Sequence, residues 1–456
     1  MEKFDIAVIG GGPGGYVAAE KAAHLGKSVV LFEERDLGGT CLNRGCIPTK
    51  ALLHSAEAYH TAAHSEELGI STSGVKLDHS AMHEHKAQIV STLRSGVGKL
   101  MDSCGVKVVA EHARIKDKNT IEAAGVEYGA DYIIIATGSE VFVPQVDGVD
   151  GPGIYTSDDM LEGNPPELDS VIIVGGGVIG IEFACMYAAL GAKVTILGSR
   201  RKNHVLPQME KEIGQRIGMI LKKQNVDIIA PCQVKSYSGE AGAKVVTYID
   251  KKEEEHTVEA QGVLVAVGRS SYTKDLFADG FSVEMEGSSV KVDADGRTSV
   301  DNIFAIGDVR YKGIQLAHVA SAQGENVACL IAGNDTRITE KTVPNCVYSF
   351  PEIADVGISE TRAKEEGIEV VTGKALASAN GKCLIEGYET GFAKIVAEKD
   401  SGKIIGAQLI CPRATDMIAE LALAVRNELT VADLVCTIHP HPTVSEMVRE
   451  AAIQML

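Results

Sequence analysis

The feature that most limits how this chain can fold is a unit that occurs twice. The first copy opens with an apolar, strand-like run, Phe4–Ile9, that breaks at Gly10-Gly11-Gly12-Pro13-Gly14-Gly15. A helical pattern follows over Tyr16–Leu25, then Gly26, then a second apolar run, Ser28–Phe32, which closes at Glu33. The second copy repeats the order: strand Ser170–Val174, the loop Gly175-Gly176-Gly177-Val178-Ile179-Gly180, helix Ile181–Leu190, Gly191, and strand Lys193–Leu197. Gly10, Gly12 and Gly15, and again Gly175, Gly177 and Gly180, supply G-x-G-x-x-G between a strand and a helix. Such glycines allow a tight turn, close approach of a pyrophosphate to the backbone, and tight packing of helix on strand. The helix N-terminus attracts the negative charge, and an acid ending the second strand, here Glu33, takes the ribose hydroxyls. The pattern predicts an α/β fold with two Rossmann-like units, each binding a dinucleotide.

The rest of the chain arranges itself around these units. At 456 residues it exceeds one ordinary core, and the texture predicts domains over 1–145, 146–270, 271–340 and 341–456. A segment rich in Gly, Pro and Asp, Val143–Pro166, reads as the crossing between the two units. Tyr132–Ala136, closed by Thr137-Gly138, and Gly262–Val267, closed by Gly268, read as the strands that end each sheet near its ligand. Asn302–Ile306 is a strand leading into Gly307-Asp308, and Leu316–Ala332 is helical. After about Lys341 the pattern turns to alternating strands with hairpin signals, such as Ser378–Ile395 and Lys403–Ile410. Two helices follow, Ala414–Arg426 and Val444–Gln454, in a module without phosphate-loop glycines that suits an interface.

Charge narrows the partners. The formal charge of −18 argues against nucleic acid and anionic membranes. No apolar run reaches the length of a membrane span, and the chain enters a strand at once with no signal-like region, so a cytoplasmic location is expected. Eight of the ten cysteines are scattered like ordinary buried thiols, and no C-x-x-C pair points to a metal site.

The other two cysteines stand apart. Cys41 and Cys46 lie in Gly38–Lys50, just after the first unit. Five positions along a regular helix span roughly 7.5 Å and about 140° of rotation. A disulfide needs its Cα atoms within about 7 Å and its Cβ atoms facing. The two can therefore pair only across a distorted backbone, which Gly45 permits, with Pro48 suited to the first turn of a helix beginning after them. A distorted disulfide is the labile, redox-active kind, while the spacing alone equally allows two unpaired thiols in a loop. Far downstream, His439-Pro440-His441-Pro442 holds two imidazoles between prolines, with Glu446 beyond. A carboxylate in the first turn of a helix starting near Thr443 could reach back to the His441 ring, orient it and stabilise its protonated form, the logic of an acid–base dyad. His439 has the weaker claim, as a positioning residue.

These residues together resemble the flavoprotein disulfide reductases: two Rossmann-like units, Cys-x₄-Cys after the first, Gly307-Asp308, and a late His-Pro-x-x-x-Glu, in that order over essentially the whole chain. Within that family, Cys41-Leu-Asn-Arg-Gly-Cys-Ile-Pro-Thr-Lys50, Val178-Ile-Gly-Ile-Glu182, Leu316-Ala-His318 and Ala379-Asn-Gly-Lys382 are most similar to the dihydrolipoyl dehydrogenase branch. The resemblance implies FAD on the first unit (domain 1–145, completed by 271–340), NAD(P) on the second (146–270), and a homodimer joined through 341–456. It implies a Cys41–Cys46 disulfide with Cys46 facing the flavin and Cys41 exchanging with substrate, and His441–Glu446 acting on the disulfide of the other subunit. It pairs Lys50 with Glu182 near the flavin. Gly10, Gly12, Gly15, Glu33, Thr40, Lys50, Ala113, Thr137, Gly138, Ser139, Asp308 and Ala317 would contact FAD. Gly175, Gly177, Val178, Ile179, Gly180, Gly198, Ser199, Arg200, Arg201, Val234 and Gly268 would contact the nicotinamide nucleotide. The lipoyl group would come from a carrier protein of a 2-oxoacid dehydrogenase or glycine cleavage complex, since no lipoyl-carrier segment is visible at the N-terminus.

One stretch departs from that branch. Glu33 stands 23 residues after Gly10, and the same count from Gly175 falls on Gly198. Gly198-Ser199-Arg200-Arg201-Lys202 has no carboxylate and three cations. Loss of the acid and gain of arginine both favour a 2′-phosphate, so NADP is expected in preference to NAD. The alternative activity is an NADPH-dependent reductase of another small disulfide.

Overall fold

The computed structural model describes residues 1–200, 202–335 and 338–456. The first sheet is built on the strand Glu2–Ile9, which pairs in parallel with Val29–Phe32 on one side and Val126–Ile135 on the other. Lys107–Val109 extends it beyond Val29–Phe32, and Ile303–Ala305 adds a further parallel strand beside Ile133–Ile135. These strands read as continuous apolar runs because helices or further strands cover both faces: Ile6, Ala7, Val8, Val30 and Leu31 are all fully buried. Segment 271–340 thus contributes a strand to the first sheet. It also supplies the helix Ala317–Ile331, which packs along the helix Pro13–His24. Their approach is close enough that a Cβ on Gly324 would lie 2.5 Å from the Gly14 carbonyl oxygen.

The second sheet repeats the plan with five parallel strands in the order Val226–Ile229, Lys193–Leu197, Ser170–Val174, Gly262–Val265, Ile154–Thr156. The Gly- and Pro-rich crossing is therefore not all connector: it contributes the strand Ile154–Thr156 and a short helix, Ser157–Leu161, fixed by a Thr156–Asp159 capping box. An antiparallel meander, Cys232–Ser238, Lys244–Asp250 and Glu255–Ala260, packs beside this sheet. Where the chain leaves the first sheet and later returns, Ser139–Val141 pairs with Arg269–Ser271.

The third region is a five-stranded antiparallel sheet, Asn345–Val347, Ile353–Gly357, Ile404–Ile410, Phe392–Glu398 and Val370–Leu376. Helices Ala414–Arg426 and Glu446–Ile453 pack on it around Ile418, Leu421, Met447 and Val448. The hairpin expected over Ser378–Ile395 is not formed. A 3-10 turn and the short helix Gly381–Ile385 occupy its first half. Asn380 nucleates that helix: its side-chain oxygen accepts from Cys383 N–H at 3.0 Å while its amide donates to Thr443 O at 3.1 Å. Local capping outcompetes the alternating pattern there. Among the described residues no helix is long and apolar enough to cross a membrane.

Candidate active site

The two phosphate loops are built alike. In the first, Gly10 has φ 103°, and a Cβ there would lie 2.3 Å from Ala136 O. In the second, Gly175 has φ 121°, and its Cβ would lie 2.2 Å from Ala266 O. Any side chain at Gly15 or Gly180 would strike the carbonyl of Gly10 or Gly175, at 1.8 and 2.0 Å. Gly12 and Gly177 are the N-caps of their helices, neither with a side-chain cap, and a Cβ at Gly177 would meet nothing within 4 Å. Uncapped N–H groups fit a pyrophosphate on both helices, with open space in front of the second.

Around the first loop the donor set fits FAD. Glu33, directly after its strand, accepts from Gly11 N–H at 2.7 Å and Arg35 N–H at 2.9 Å, and burial pushes its carboxyl up. Asp308 lies in the turn Gly307–Val309, where burial also raises its carboxyl. Its Oδ2 accepts from Ser139 Oγ at 2.6 Å, and Ser139 Oγ in turn accepts from Arg269 Nε at 2.9 Å. Thr137 Oγ1 donates to Tyr272 O at 2.6 Å, and Gly138 turns with φ 71°. Ala317 begins its helix, and Ala113 begins the strand Ala113–Asp117 with its side chain buried.

The cysteine segment crosses over the first loop. Gly38 N–H donates to Gly11 O at 2.8 Å, and a Cβ on Gly39 would sit 2.6 Å from Gly12 Cα. Thr40 and Cys41 lie in a one-turn helix, Gly39–Arg44. Asn43 pins it: its amide donates to Leu37 O at 3.0 Å and Gly39 O at 2.9 Å, and its oxygen accepts from Arg94 Nε at 2.8 Å. The backbone breaks at Gly45 (φ −142°, ψ −112°), and a new helix begins at Cys46 itself, with Pro48 two residues in. The expectation that this helix starts only after the pair is corrected; the required distortion is at Gly45. Thr49 seals the junction, its Oγ1 donating to Gly45 O at 2.6 Å. A side chain at Gly45 would press 2.9 Å from Thr40 O.

Both cysteines are free thiols with their side chains adjacent. Their mutual interaction raises Cys41, which keeps the proton, and lowers Cys46 to about 7, helped by the Lys50 ammonium. Lys50 Nζ lies 2.9 and 2.8 Å from the two Glu182 oxygens, and Glu182 is buried in the helix Val178–Ala189 of the second unit. A residue without an earlier sequence signal completes this pair: Tyr348 N–H donates to Glu182 Oε1 at 3.1 Å, and its ring lies 4.5 Å from Lys50 Nζ. Tyr16 was also missed. Burial and the neighbouring Cys41 sulfur push its phenol up. The only available hint was a polar-tipped aromatic at the head of an Ala- and Gly-rich helix.

His441 Nδ1 lies 3.0 Å from Glu446 Oε1, and Thr443 N–H donates to Glu446 Oε2 at 3.0 Å. These contacts hold the Glu446 carboxyl below its usual range. The helix starts at Glu446, later than Val444, with Ser445 at its N-cap making no side-chain cap bond. The His441 ring is 81% exposed, and Ile438 beside it is 93% exposed. Among the described residues no contact joins His441 to Cys41 or Cys46 within the chain. His439 is buried instead, Nε2 lying 3.0 Å from Glu420 Oε1.

At the second site, Gly198 follows its strand with N–H bonded to Ile229 O at 2.9 Å, and a Cβ there would meet Ala230 Cβ at 2.7 Å. Val178 and Ile179 open the helix half-buried, Gly268 turns with φ 135°, and Val234 is half-buried in the strand Cys232–Ser238. Ser199 and Arg200 are exposed, and Arg201 lies outside the described residues.

Residues 4–324 match the family model for pyridine nucleotide-disulphide oxidoreductases, and residues 343–452 match the dimerisation domain of the same family. A dihydrolipoyl dehydrogenase from Geobacillus stearothermophilus is 40% identical over 98% of this chain and 95% of that protein. The crystal structure of LpdA from Mycobacterium tuberculosis superposes with a TM-score of 0.91 at 26% identity, covering 100% of both chains. The HOCl-induced flavoprotein disulfide reductase RclA from Escherichia coli gives 0.87 at 28% identity, over 98% of this chain and 99% of that one. With two dinucleotide loops, a cysteine pair against the first and matching sequence along nearly its whole length, this chain belongs to the pyridine nucleotide-disulphide oxidoreductases, flavoenzymes that use FAD and a pyridine nucleotide.

Proposed function

We propose that this enzyme is a dihydrolipoyl dehydrogenase, oxidising a dihydrolipoyl group presented by a carrier protein of a 2-oxoacid dehydrogenase or glycine cleavage complex. The observation that carries the reading is the cysteine pair folded across Gly45 with Lys50 bearing on Cys46, in a chain 40% identical to a dihydrolipoyl dehydrogenase. In the disulfide form, a substrate thiolate attacks Cys41 Sγ, the Cys41–Cys46 bond breaks, and its electron pair leaves on Cys46. The second substrate sulfur attacks the first, closing the lipoyl disulfide and releasing Cys41, which takes one of the two substrate protons. The other goes to His441 of the partner subunit, whose ring Glu446 orients. Its exposure in the single chain supports that assignment, since a base so open has no substrate of its own to serve. A positioned base of this kind contributes roughly 10²- to 10⁴-fold to rate. FAD, when bound, supplies the two-electron relay between the Cys46 thiolate and the nicotinamide. Gly10, Gly12, Gly15, Glu33 and Asp308 would hold it, while Lys50 favours the thiolate.

For the nucleotide, we infer that NADP is accepted in preference to NAD, because Gly198 leaves no carboxylate at the strand end and Arg200 stands beside it. A second reading, an NADPH-dependent reductase of another low-molecular-weight disulfide, is favoured by the same basic loop and by the likeness to the reductase RclA. Turnover of dihydrolipoamide with NAD and with NADP, beside NADPH-driven reduction of a panel of disulfides, separates them. Dihydrolipoamide oxidation should exceed every other activity in kcat/KM. A small disulfide reduced faster would replace the first reading with the second, and a clear preference for NAD would remove the NADP assignment.

A further inference from the structure

Arg200, one of the cations expected to meet a 2′-phosphate, already has partners. Its Nη1 donates to Gln233 Oε1 at 2.5 Å and its Nη2 to Glu253 Oε1 at 2.8 Å. Glu253 comes from the tip of the hairpin between Lys244–Asp250 and Glu255–Ala260, and the tip is well defined. Asp250 Oδ1 accepts from Lys252 N–H at 2.8 Å and Glu254 N–H at 3.1 Å, while Glu253 turns with φ 62° and donates its N–H to Asp250 O. Gln233 is in the adjoining strand, paired with Ile249. Glu253 Oε1 and Gln233 Oε1 together give the guanidinium fork the two acceptor oxygens that a phosphate would supply, with less charge. The Arg200 and Glu253 side chains are 61% and 66% exposed, so their bond is weak enough to exchange.

We propose that Glu253 sets the discrimination between NADP and NAD by occupying the Arg200 guanidinium as an internal competitor of the 2′-phosphate. The proposal rests on the reading that Arg200 faces the adenosine ribose. NADP must displace the carboxylate and then bind beside its negative charge; NAD has no need of the guanidinium and leaves the pair intact. The second unit thus has a carboxylate after all, supplied from the meander instead of from the strand end, and it acts on the arginine.

The test is Glu253→Gln, which keeps the shape and removes the charge. Calorimetric titration with adenosine 2′,5′-bisphosphate and with 5′-AMP reads binding, and kcat/KM for NADP and NAD reads turnover. The ratio favouring the 2′-phosphate should rise roughly two- to fivefold in both, the size of an exposed ion pair. In an Arg200→Ala background the same change should raise the ratio less, since only the bare charge of Glu253 is then removed. An unchanged or lowered ratio in Glu253→Gln overturns the proposal. If the wild type prefers NAD yet the ratio rises in Glu253→Gln, the NADP reading fails and the competitor role stands. If Arg200→Ala alters neither nucleotide, both fail.

Discussion

The two dinucleotide units differ in one place that matters. Their backbones are near copies: Gly10 N–H donates to Phe32 O at 2.8 Å and Gly175 N–H to Leu197 O at 2.9 Å, while Ala136 and Ala266 N–H return to Ile9 O and Val174 O, both at 2.8 Å. After the second strand they part. The first unit places Glu33 there, its carboxylate bonded to the phosphate loop itself through Gly11. The second places Gly198 against Ala230 and hands the polar chemistry to Arg200, Gln233 and Glu253. Glycine positions with no room for a Cβ fix both loops alike, whereas the side chains that follow the second strand differ between the units.

The comparison can be broken most severely at its shared glycines. Gly15→Val should abolish FAD binding, since even a Cβ there would lie 1.8 Å from Gly10 O, and the purified protein should lose its visible flavin absorbance. Gly180→Val, with a Cβ 2.0 Å from Gly175 O, should keep the flavin and its reduction by a dithiol but lose electron transfer to the nucleotide. Loss of flavin from both would mean that the units do not act separately.

A smaller effect is expected where the units touch. Lys50→Met leaves Glu182 buried without its cation, which costs a few kcal/mol. It also removes a charge that lowers the Cys46 thiol. The thiolate absorbance of the reduced enzyme should titrate near pH 7 in the wild type, and about one unit or more higher in the variant. An unmoved midpoint would assign the lowering to Cys41 alone.

The smallest effect concerns the second junction, where the helix His79–Ser103 meets the crossing segment. Lys86 Nζ donates to Leu161 O at 2.5 Å and Gly163 O at 3.1 Å, and to His83 Nδ1 at 3.1 Å. Lysine can only donate, so His83 is held neutral, and burial together with Lys86 lowers it from 6.5 to about 4. A base depressed in the folded state adds stability that is present above its unfolded pKa and lost as pH falls. Thermal stability should therefore decline between pH 6.5 and 4 by at most about 3 kcal/mol, or several degrees in Tm. His83→Phe should flatten that part of the decline and leave the carboxylate-driven remainder. An equal slope in both proteins would show that the junction does not depend on His83.

Much of this is legible in the sequence because it is local. A phosphate loop needs glycines at fixed offsets between a strand and a helix, and Ser170–Val174 and Lys193–Leu197 match their observed strands residue for residue. A Cys41–Cys46 pairing would likewise need a break in helical geometry, and such a break falls at Gly45. Patterns failed where short-range polar bonds decided the outcome, as at Asn380, whose cap turned an expected strand into helix. Contacts such as those of Tyr348 and Glu253 left no trace in the sequence, because each reaches a partner 166 and 53 residues away.

By itself, then, the sequence determined two nucleotide-binding units, a thiol pair able to react, and an imidazole with a carboxylate five residues on. All depend on the order of residues along a short stretch of backbone. Only the tertiary structure decided that Glu182 and Tyr348 enclose Lys50, that Tyr16 lies near enough to Cys41 to feel its charge, and that His441 lies open on the dimerisation domain. Those facts depend on which surfaces the buried cores bring together, and no local pattern encodes that.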